Sequence, residues 1–323
     1  MLTYANCDKV SEQCPVLDTV FGYKPSLPIN ATLLALFCLV VVAQVVKGTY
    51  YRTWTFMTAM LLGSACLVVG ELDRSLCAGV ERWADCGIGY AGRVMMAQNA
   101  WSHGGFVLQH FGLTVGPAFF ADSMYLTFVD IAETYTPSAS RINPRIYPTI
   151  SSTCTFLALF LQTIGSLMSS TSIVNILSSS ALRAGTTVTL VGLVLQLLTM
   201  LFFGLMCIDY HYRVRRAPQD WNAYAAPTRE SQRFVLFAWT SQAFYWLVGA
   251  SVVYRIAMLA QGWDGGIVKN EAAFVCLQGV TVLLAGYCFS ALHPGYVFPK
   301  GTDYVTQRAA LKVIDEKLEE AEA

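Results

Sequence analysis

The sequence predicts an all-α, polytopic membrane protein: a seven transmembrane helix bundle with its N-terminus outside and its C-terminus inside. Three observations carry that expectation. Seven apolar stretches fall near residues 29–46, 54–72, 106–131, 148–168, 184–208, 234–258 and 272–292, and about twenty such residues at about 1.5 Å each span a bilayer's hydrocarbon core. Of the 323 residues, 55% are hydrophobic and 13% charged, against about 25% charged in a soluble domain. With the N-terminus outside, thirteen Lys and Arg flank the stretches on the cytoplasmic side and seven on the outer side. That asymmetry is the one that orients inserted helices.

Three regions follow. Residues 1–19 are an extracellular N-terminal segment, residues 20–298 one seven-helix membrane domain, and residues 299–323 a cytoplasmic tail. Residues 1–28 are mixed polar and lack the pattern of a cleavable signal peptide, so the first span is expected to act as the insertion signal. Asn30-Ala31-Thr32 is a formal glycosylation sequon, but it sits at the mouth of that span and reads better as an unmodified helix start. Span two ends in Glu71, Asp73 and Arg74, and the sizeable loop 73–103 follows outside. Span three opens on Gln109 and His110 and contains Pro117, which removes a backbone donor and kinks the helix. Gly112 and Gly116, four apart, suit close helix packing. Span four carries Gln162 late, and span five carries Gln196 near its middle, where an inter-helix hydrogen bond is the default role. The cluster Arg213-Val214-Arg215-Arg216 stops transfer and opens the loop 209–233. Span six ends at Arg255, span seven begins at Glu271 and Gln278, and residues 304–322 suit either a short cytoplasmic helix or a solvated tail.

Cysteine placement agrees with the orientation. Cys7, Cys14, Cys77 and Cys86 all lie outside in this topology, where an oxidising compartment favours two disulfides and leaves three connectivities open. Their spacings are not the paired CxxC of a zinc site.

Several function classes are disfavoured. Lys plus Arg balance Asp plus Glu at 21 each, and no basic tract suits nucleic acid. No P-loop, HExxH or Ser-His-Asp set is visible. His103 and His110 lie at the outer end and His211 and His293 at the inner, so they cannot share one zinc. Span seven has no lysine for retinal. The chain is therefore expected to be no enzyme, with no metal and no cofactor.

Ionisable groups inside a membrane face a cavity or a partner. Asp122, about two-thirds along span three, has Tyr125 at helical spacing and either lines a cavity or bonds a neighbouring helix. Glu71, Gln109, His110, Gln162, Arg255 and Gln278 fall at similar depth in the outer third. With Asp73, Arg74 and Glu271 they suit an outward polar chamber with several carboxylates for an amphiphile with an ammonium headgroup, or a set of interfacial ion pairs such as Arg255 with Glu71 or Asp73. Asp122, Tyr125, Gln109, His110, Glu71, Gln162, Gln196, Arg255 and Gln278 are thus the candidate substrate-binding residues.

The motifs at the span ends resemble the fungal Rta-like family of seven-span membrane proteins, the lipid-translocating exporters. They include Gly22-Tyr23-Lys24-Pro25-Ser26, Asn30, Tyr51-Arg52-Thr53-Trp54, Gly70 and Arg74. Gln109, Pro117-Ala118-Phe119, Tyr125-Leu126-Thr127, Pro144-Arg145, Cys154, Gln162, Gly165, Gly192 and Gln196 follow. The most telling are Tyr254-Arg255, Gln261-Gly262-Trp263-Asp264-Gly265, Glu271 and His293-Pro294-Gly295. The resemblance covers residues 20–298. It implies seven helices with the N-terminus outside, in the plasma membrane or the vacuolar membrane of a fungus. It also implies export or flipping of sphingoid long-chain bases or related amphiphiles, resistance to toxic amphiphiles, and in one branch porphyrin or haem traffic. Leu67, Thr155, Ser251, Met258 and Gln278 stand where the family often carries charge, while Glu71, Asp73, Asp122 and Asp130 depart from it in the other direction. The fold carries over from the resemblance; the substrate does not.

The expected function is a translocator of lipid-like amphiphiles, its partners being membrane lipids or amphiphilic small molecules. The alternatives are a seven-helix lipid sensor whose basic loop 209–233 meets a cytoplasmic partner, and a haem or porphyrin transporter with His103 or His110 as axial ligand.

Overall fold

A computed structural model describes residues 7, 9–68, 90–174, 179–218, 221 and 225–298. Among them regular structure is helical, apart from one isolated bridge between Ser11 and Cys14. The helices are α1 (Leu27–Tyr51), α2 (Trp54–Val68), α3 (Tyr90–Gln98), α4 (His103–Tyr135), α5 (Ile146–Val174) and α6 (Ser179–Arg216). There follow α7 (Ala226–Arg229), α8 (Gln232–Ala260), α9 (Glu271–Phe274), a π-helical turn over Val275–Val280, α10 (Thr281–Ala291) and α11 (Pro294–Val297). Each of the seven apolar stretches falls on helix over its described residues, the second as far as Val68. Among the described residues, five helical segments are long and apolar enough to cross a membrane: Leu27–Tyr51, Ile146–Ile173, Ser180–Arg216, Gln232–Ala260 and Glu271–Val297. α2 is shorter in its described part, and α4, at 33 residues, is not among these five.

α4 occupies the interior, packed against α2, α3, α5 and α8. Its buried side chains include Leu113, Phe120, Tyr125 and Phe128. The peripheral helices instead point large apolar groups outward, among them Val42 on α1, Phe160 on α5, Leu205 on α6 and Trp246 on α8. Helices hydrophobic on both faces need an apolar solvent on one of them.

Local chemistry sets the joints. α1 stops at Arg52, whose φ of 56° is left-handed, and the Thr53 N–H returns to the Gly48 carbonyl at 3.0 Å. That 6→1 bond closes a Schellman turn and starts α2 beside α1. α5 and α6 pack along small residues: a Cβ on Gly165 would lie 2.4 Å from the Thr189 backbone nitrogen, and one on Gly185 would lie 2.6 Å from that of Ser169. Gly116 on α4 faces Gly63 on α2 in the same manner, in keeping with its expected packing role.

Pro117 leaves the Leu113 carbonyl without its helical donor, four residues back. Gln278 Nε2, from the π-helical turn, donates to that carbonyl at 3.0 Å. The freed group is thus satisfied by a neighbouring helix. Gln278→Leu is expected to orphan the carbonyl and lower stability by about 1–3 kcal/mol, read as a lower apparent unfolding temperature in detergent. An unchanged temperature would show that the contact contributes nothing.

Loop 73–103 holds more structure than its reading as a loop. Its last third is α3, whose Met, Ala and Gln content favours helix. Gly92 on α3 and Gly105 on α4 each leave room for the other's carbonyl, since a Cβ on either would come within 2.8 Å of it. Of the four cysteines expected to pair, Cys7 and Cys14 form a disulfide with Cα atoms 5.8 Å apart. Cys77 and Cys86 lie outside the described residues, as do Glu71, Asp73, Gly70, Arg74 and the tail 299–323.

At the end of the bundle opposite Leu27, Gln44 donates to Ser290 Oγ at 3.0 Å and Lys47 Nζ to the Ser290 carbonyl, tying α1 to α10. His293 caps α11 through the Gly295 N–H and stacks on Tyr51, which accounts for the His293-Pro294-Gly295 motif. Nearby, Arg141 forks onto Asp209 at 2.8 and 3.0 Å and Arg145 pairs with Glu133. These pairs are exposed and contribute little stability.

Candidate binding site between α3, α4, α8 and α9

Near the Leu27 end, polar side chains from five segments meet inside the bundle. Arg93, fully buried, is delivered by α3. Its Nε donates to Asn30 Oδ1 at 2.8 Å, and its Nη2 to Glu271 Oε1 and Tyr23 Oη, each at 3.3 Å. The guanidinium lies 4.0 Å from the Phe274 ring centroid, a cation–π contact. Glu271 Oε1 also accepts from the Ser26 N–H at 2.8 Å. Burial pushes the Tyr23 phenol above its ordinary range, so it remains neutral at working pH. Asn30 is fully buried with its amide engaged, which removes the sequon from any glycosylating enzyme once folded.

A second buried cation stands on α8. Arg255 is 2% exposed. Its Nε donates to Thr114 Oγ1 at 3.1 Å, and its Nη2 to Thr114 Oγ1, the His110 carbonyl and His110 Nδ1 at 2.7, 2.9 and 3.0 Å. An arginine can only donate, so His110 Nδ1 accepts and the ring proton sits on Nε2, 3.3 Å from Ser169 Oγ. Both imidazole nitrogens are therefore occupied, which argues against His110 as a haem ligand. Trp263 packs edge-on to His110 at 5.0 Å and donates to Thr186. It is placed by the turn after α8, where Gly262 adopts a φ of 77° that a side chain would strain. This is the structural content of Gln261-Gly262-Trp263.

Among the described residues, no carboxylate pairs with Arg255. Several buried polar atoms in this region lack a partner: Arg93 Nη1, the Tyr90 and Tyr254 hydroxyls, Gln109 Oε1 and Gln278 Oε1. Such a concentration of unsatisfied groups is costly to bury without a partner.

Tyr254 also lines a half-open apolar cavity of about 580 Å³ between α6, α8 and the start of the last span. Met200, Leu201, Trp246, Val253 and Leu277 form its walls. On α8 the lining runs from Tyr245 to Ala257, about 18 Å of helix.

The structure brings four of the candidate residues together. Gln109 and His110 lie on one turn of α4, Arg255 bonds to His110, and Gln278 reaches Leu113 within the same turn. Gln162 and Gln196 form a separate pair at 2.7 Å between α5 and α6. Tyr125 is buried against Phe203 at 4.6 Å between ring centroids. Asp122 accepts from Ser152 of α5, as a bond to a neighbouring helix would have it. Asp122→Asn preserves an acceptor for Ser152, so stability is expected to change by less than about 1 kcal/mol. A larger drop in detergent unfolding experiments would mean that the charge itself matters.

Arg93 and Tyr90 do not stand out by their sequence pattern, and Tyr23 and Tyr254 do so only within the family motifs, not as binding candidates. Arg93 read as one more outer-loop charge. The available signal was its apolar setting, Ala91-Gly92 before it and Val94-Met95-Met96 after it, unusual for a solvated arginine.

The family of RTA1-like proteins matches residues 86–301. The sphingoid long-chain base transporter RSB1 of Saccharomyces cerevisiae is similar: in strains Lalvin EC1118, JAY291 and S288c it is 21% identical over 304 residues, covering 86% of this chain and 74% of the relative. No solved structure matches the chain. With its long apolar helices and a family match over two-thirds of its length, the chain is an integral membrane protein that belongs to the RTA1-like family.

Proposed function

We propose that this protein translocates single-chain lipid amphiphiles, sphingoid long-chain bases or related molecules, and thereby protects cells from toxic amphiphiles. The observation that carries the reading is the apolar cavity of about 580 Å³ that meets the polar cluster at Tyr254. The cavity is long enough for an acyl or sphingoid chain, and the cluster supplies groups for its head. The name of the yeast relatives supports the same class of cargo. It also supports a transport role over an enzymatic one.

In this reading residues 20–298 form one membrane domain whose seven apolar segments all cross, with the N-terminus outside. The charge asymmetry of the connecting segments supports that orientation. So does the Cys7–Cys14 disulfide, which belongs in an oxidising compartment. The proposed location is the plasma membrane, with the vacuolar membrane as the alternative.

The test is reconstitution of the full chain into liposomes loaded with a fluorescent long-chain base. Protein-dependent movement of the probe between leaflets, abolished by bulky substitution at Ala250 in the cavity wall, is the expected result. Probe movement equal to that in empty liposomes would overturn the reading.

A further inference from the structure

The charge at the polar end of the cavity points to the headgroup. Because lipid tails are as apolar as the cavity walls, a chain gains little by entering from the bilayer, and selectivity must come from polar contacts. Those contacts are cationic. Among the described residues the cluster holds two buried guanidinium groups, Arg93 and Arg255, and one carboxylate, Glu271, which is already engaged by Arg93. The Arg93 Nη1 donors have no partner. Those of Arg255 Nη1 have only the Met258 sulfur at 4.0 Å, a weak acceptor. The buried Tyr90 and Tyr254 hydroxyls are also unpartnered: Tyr90 lies on α3 with Arg93, its hydroxyl against Gly279 beside Gln278, and Tyr254 adjoins Arg255 on α8. A desolvated guanidinium without a counter-ion is among the costliest groups to bury. The fork of an arginine matches the oxygens of a phosphate or carboxylate.

We propose that this cluster is an anion-binding subsite: Arg255, assisted by Arg93 and the Tyr90 and Tyr254 hydroxyls, binds the phosphate of a phosphorylated single-chain amphiphile while its chain lies in the apolar cavity. The inference rests on the amphiphile reading above and narrows it from bases to phosphorylated chains, since a base would bring a further positive charge to a site whose described residues already carry an excess of one.

The full chain in phosphatidylcholine nanodiscs, with empty nanodiscs subtracted, provides the test. Binding of dodecyl phosphate, dodecylamine and inorganic phosphate is measured by intrinsic tryptophan fluorescence. Dodecyl phosphate is expected to bind at least about 10-fold tighter than dodecylamine, and Arg255→Gln to remove that preference by weakening the phosphate and relieving the repulsion of the amine. Arg255→Lys keeps the charge without the fork and is expected to retain part of the preference, which guards against a Gln variant that fails to fold. Equal or tighter binding of the amine sinks the anion subsite but leaves amphiphile transport standing. Binding of neither alkyl probe counts against both readings. Inorganic phosphate binding as tightly as dodecyl phosphate would show a free-anion site and overturn the amphiphile assignment.

Discussion

Arg93→Ala is expected to lower stability by about 3 kcal/mol and to disorder the polar end of the cavity. The guanidinium is fully buried and joins α1 through Asn30, the preceding segment through Tyr23, and α9 through Glu271. Removing it leaves the Glu271 carboxylate with only the Ser26 N–H at 2.8 Å and a distant Asn30 amide. An uncompensated buried charge costs more than the lost ion pair contributes. Glu271 retains some exposure, with 24% of its side-chain surface accessible, which keeps the estimate at the low end for a buried pair. The double variant Arg93→Ala/Glu271→Gln should recover part of the loss, because the stranded charge is gone. The check is apparent unfolding temperature in detergent for the two single variants and the double. A double variant no better than Arg93→Ala would mean that packing, not charge, decides the effect.

Gly165→Val is expected to be at least as damaging, by about 3 kcal/mol or more. Its Cβ would fall 2.4 Å from the Thr189 backbone nitrogen and 2.7 Å from the Gly185 carbonyl. Backbone cannot yield as a flexible side chain can, so α5 and α6 must separate. Separation strains the Gln162–Gln196 hydrogen bond, one turn away along α5, and leaves both amides buried. The matched control is Gly249→Ala on α8, where the added carbon meets only the end of Met200 at 3.8 Å. Thermal unfolding should separate the two by several degrees. Comparable melting of both variants would remove close backbone approach as the reason for glycine at residue 165.

Much of the fold was legible because lipid is a demanding solvent. A chain that must satisfy every backbone group internally while facing hydrocarbon shows its helices as long apolar runs, and all seven runs are helical over their described residues. Pro117 announced an unsatisfied carbonyl by its own chemistry, but only the packed structure showed that Gln278, 161 positions away, donates to it. α3 was not legible: nine residues with a central arginine give too little periodicity to stand out within a long loop. Of the candidate binding residues, Gln109, His110, Arg255 and Gln278 were found by their polarity in an apolar setting. Asp122 was found by the same rule and proved to be bonded to Ser152 on α5, outside the cluster. Polarity in a span signals the need for a partner, and the rule does not say whether the partner is protein or ligand.

By itself, then, the sequence determined that this protein is helical and built for a membrane, that its ends carry turn motifs of glycine, proline and histidine, and that a few polar groups are buried. Those properties follow from solvent and local backbone chemistry, which act on neighbouring residues. The tertiary structure alone decided which buried groups face one another: Arg93 with Glu271, Arg255 with His110, Gln162 with Gln196, and Cys7 with Cys14. It also decided that Arg255 has no carboxylate among the described residues. Most of these partners are far apart along the chain, and their pairing depends on which helix faces pack together, a choice made by shape complementarity over the whole bundle.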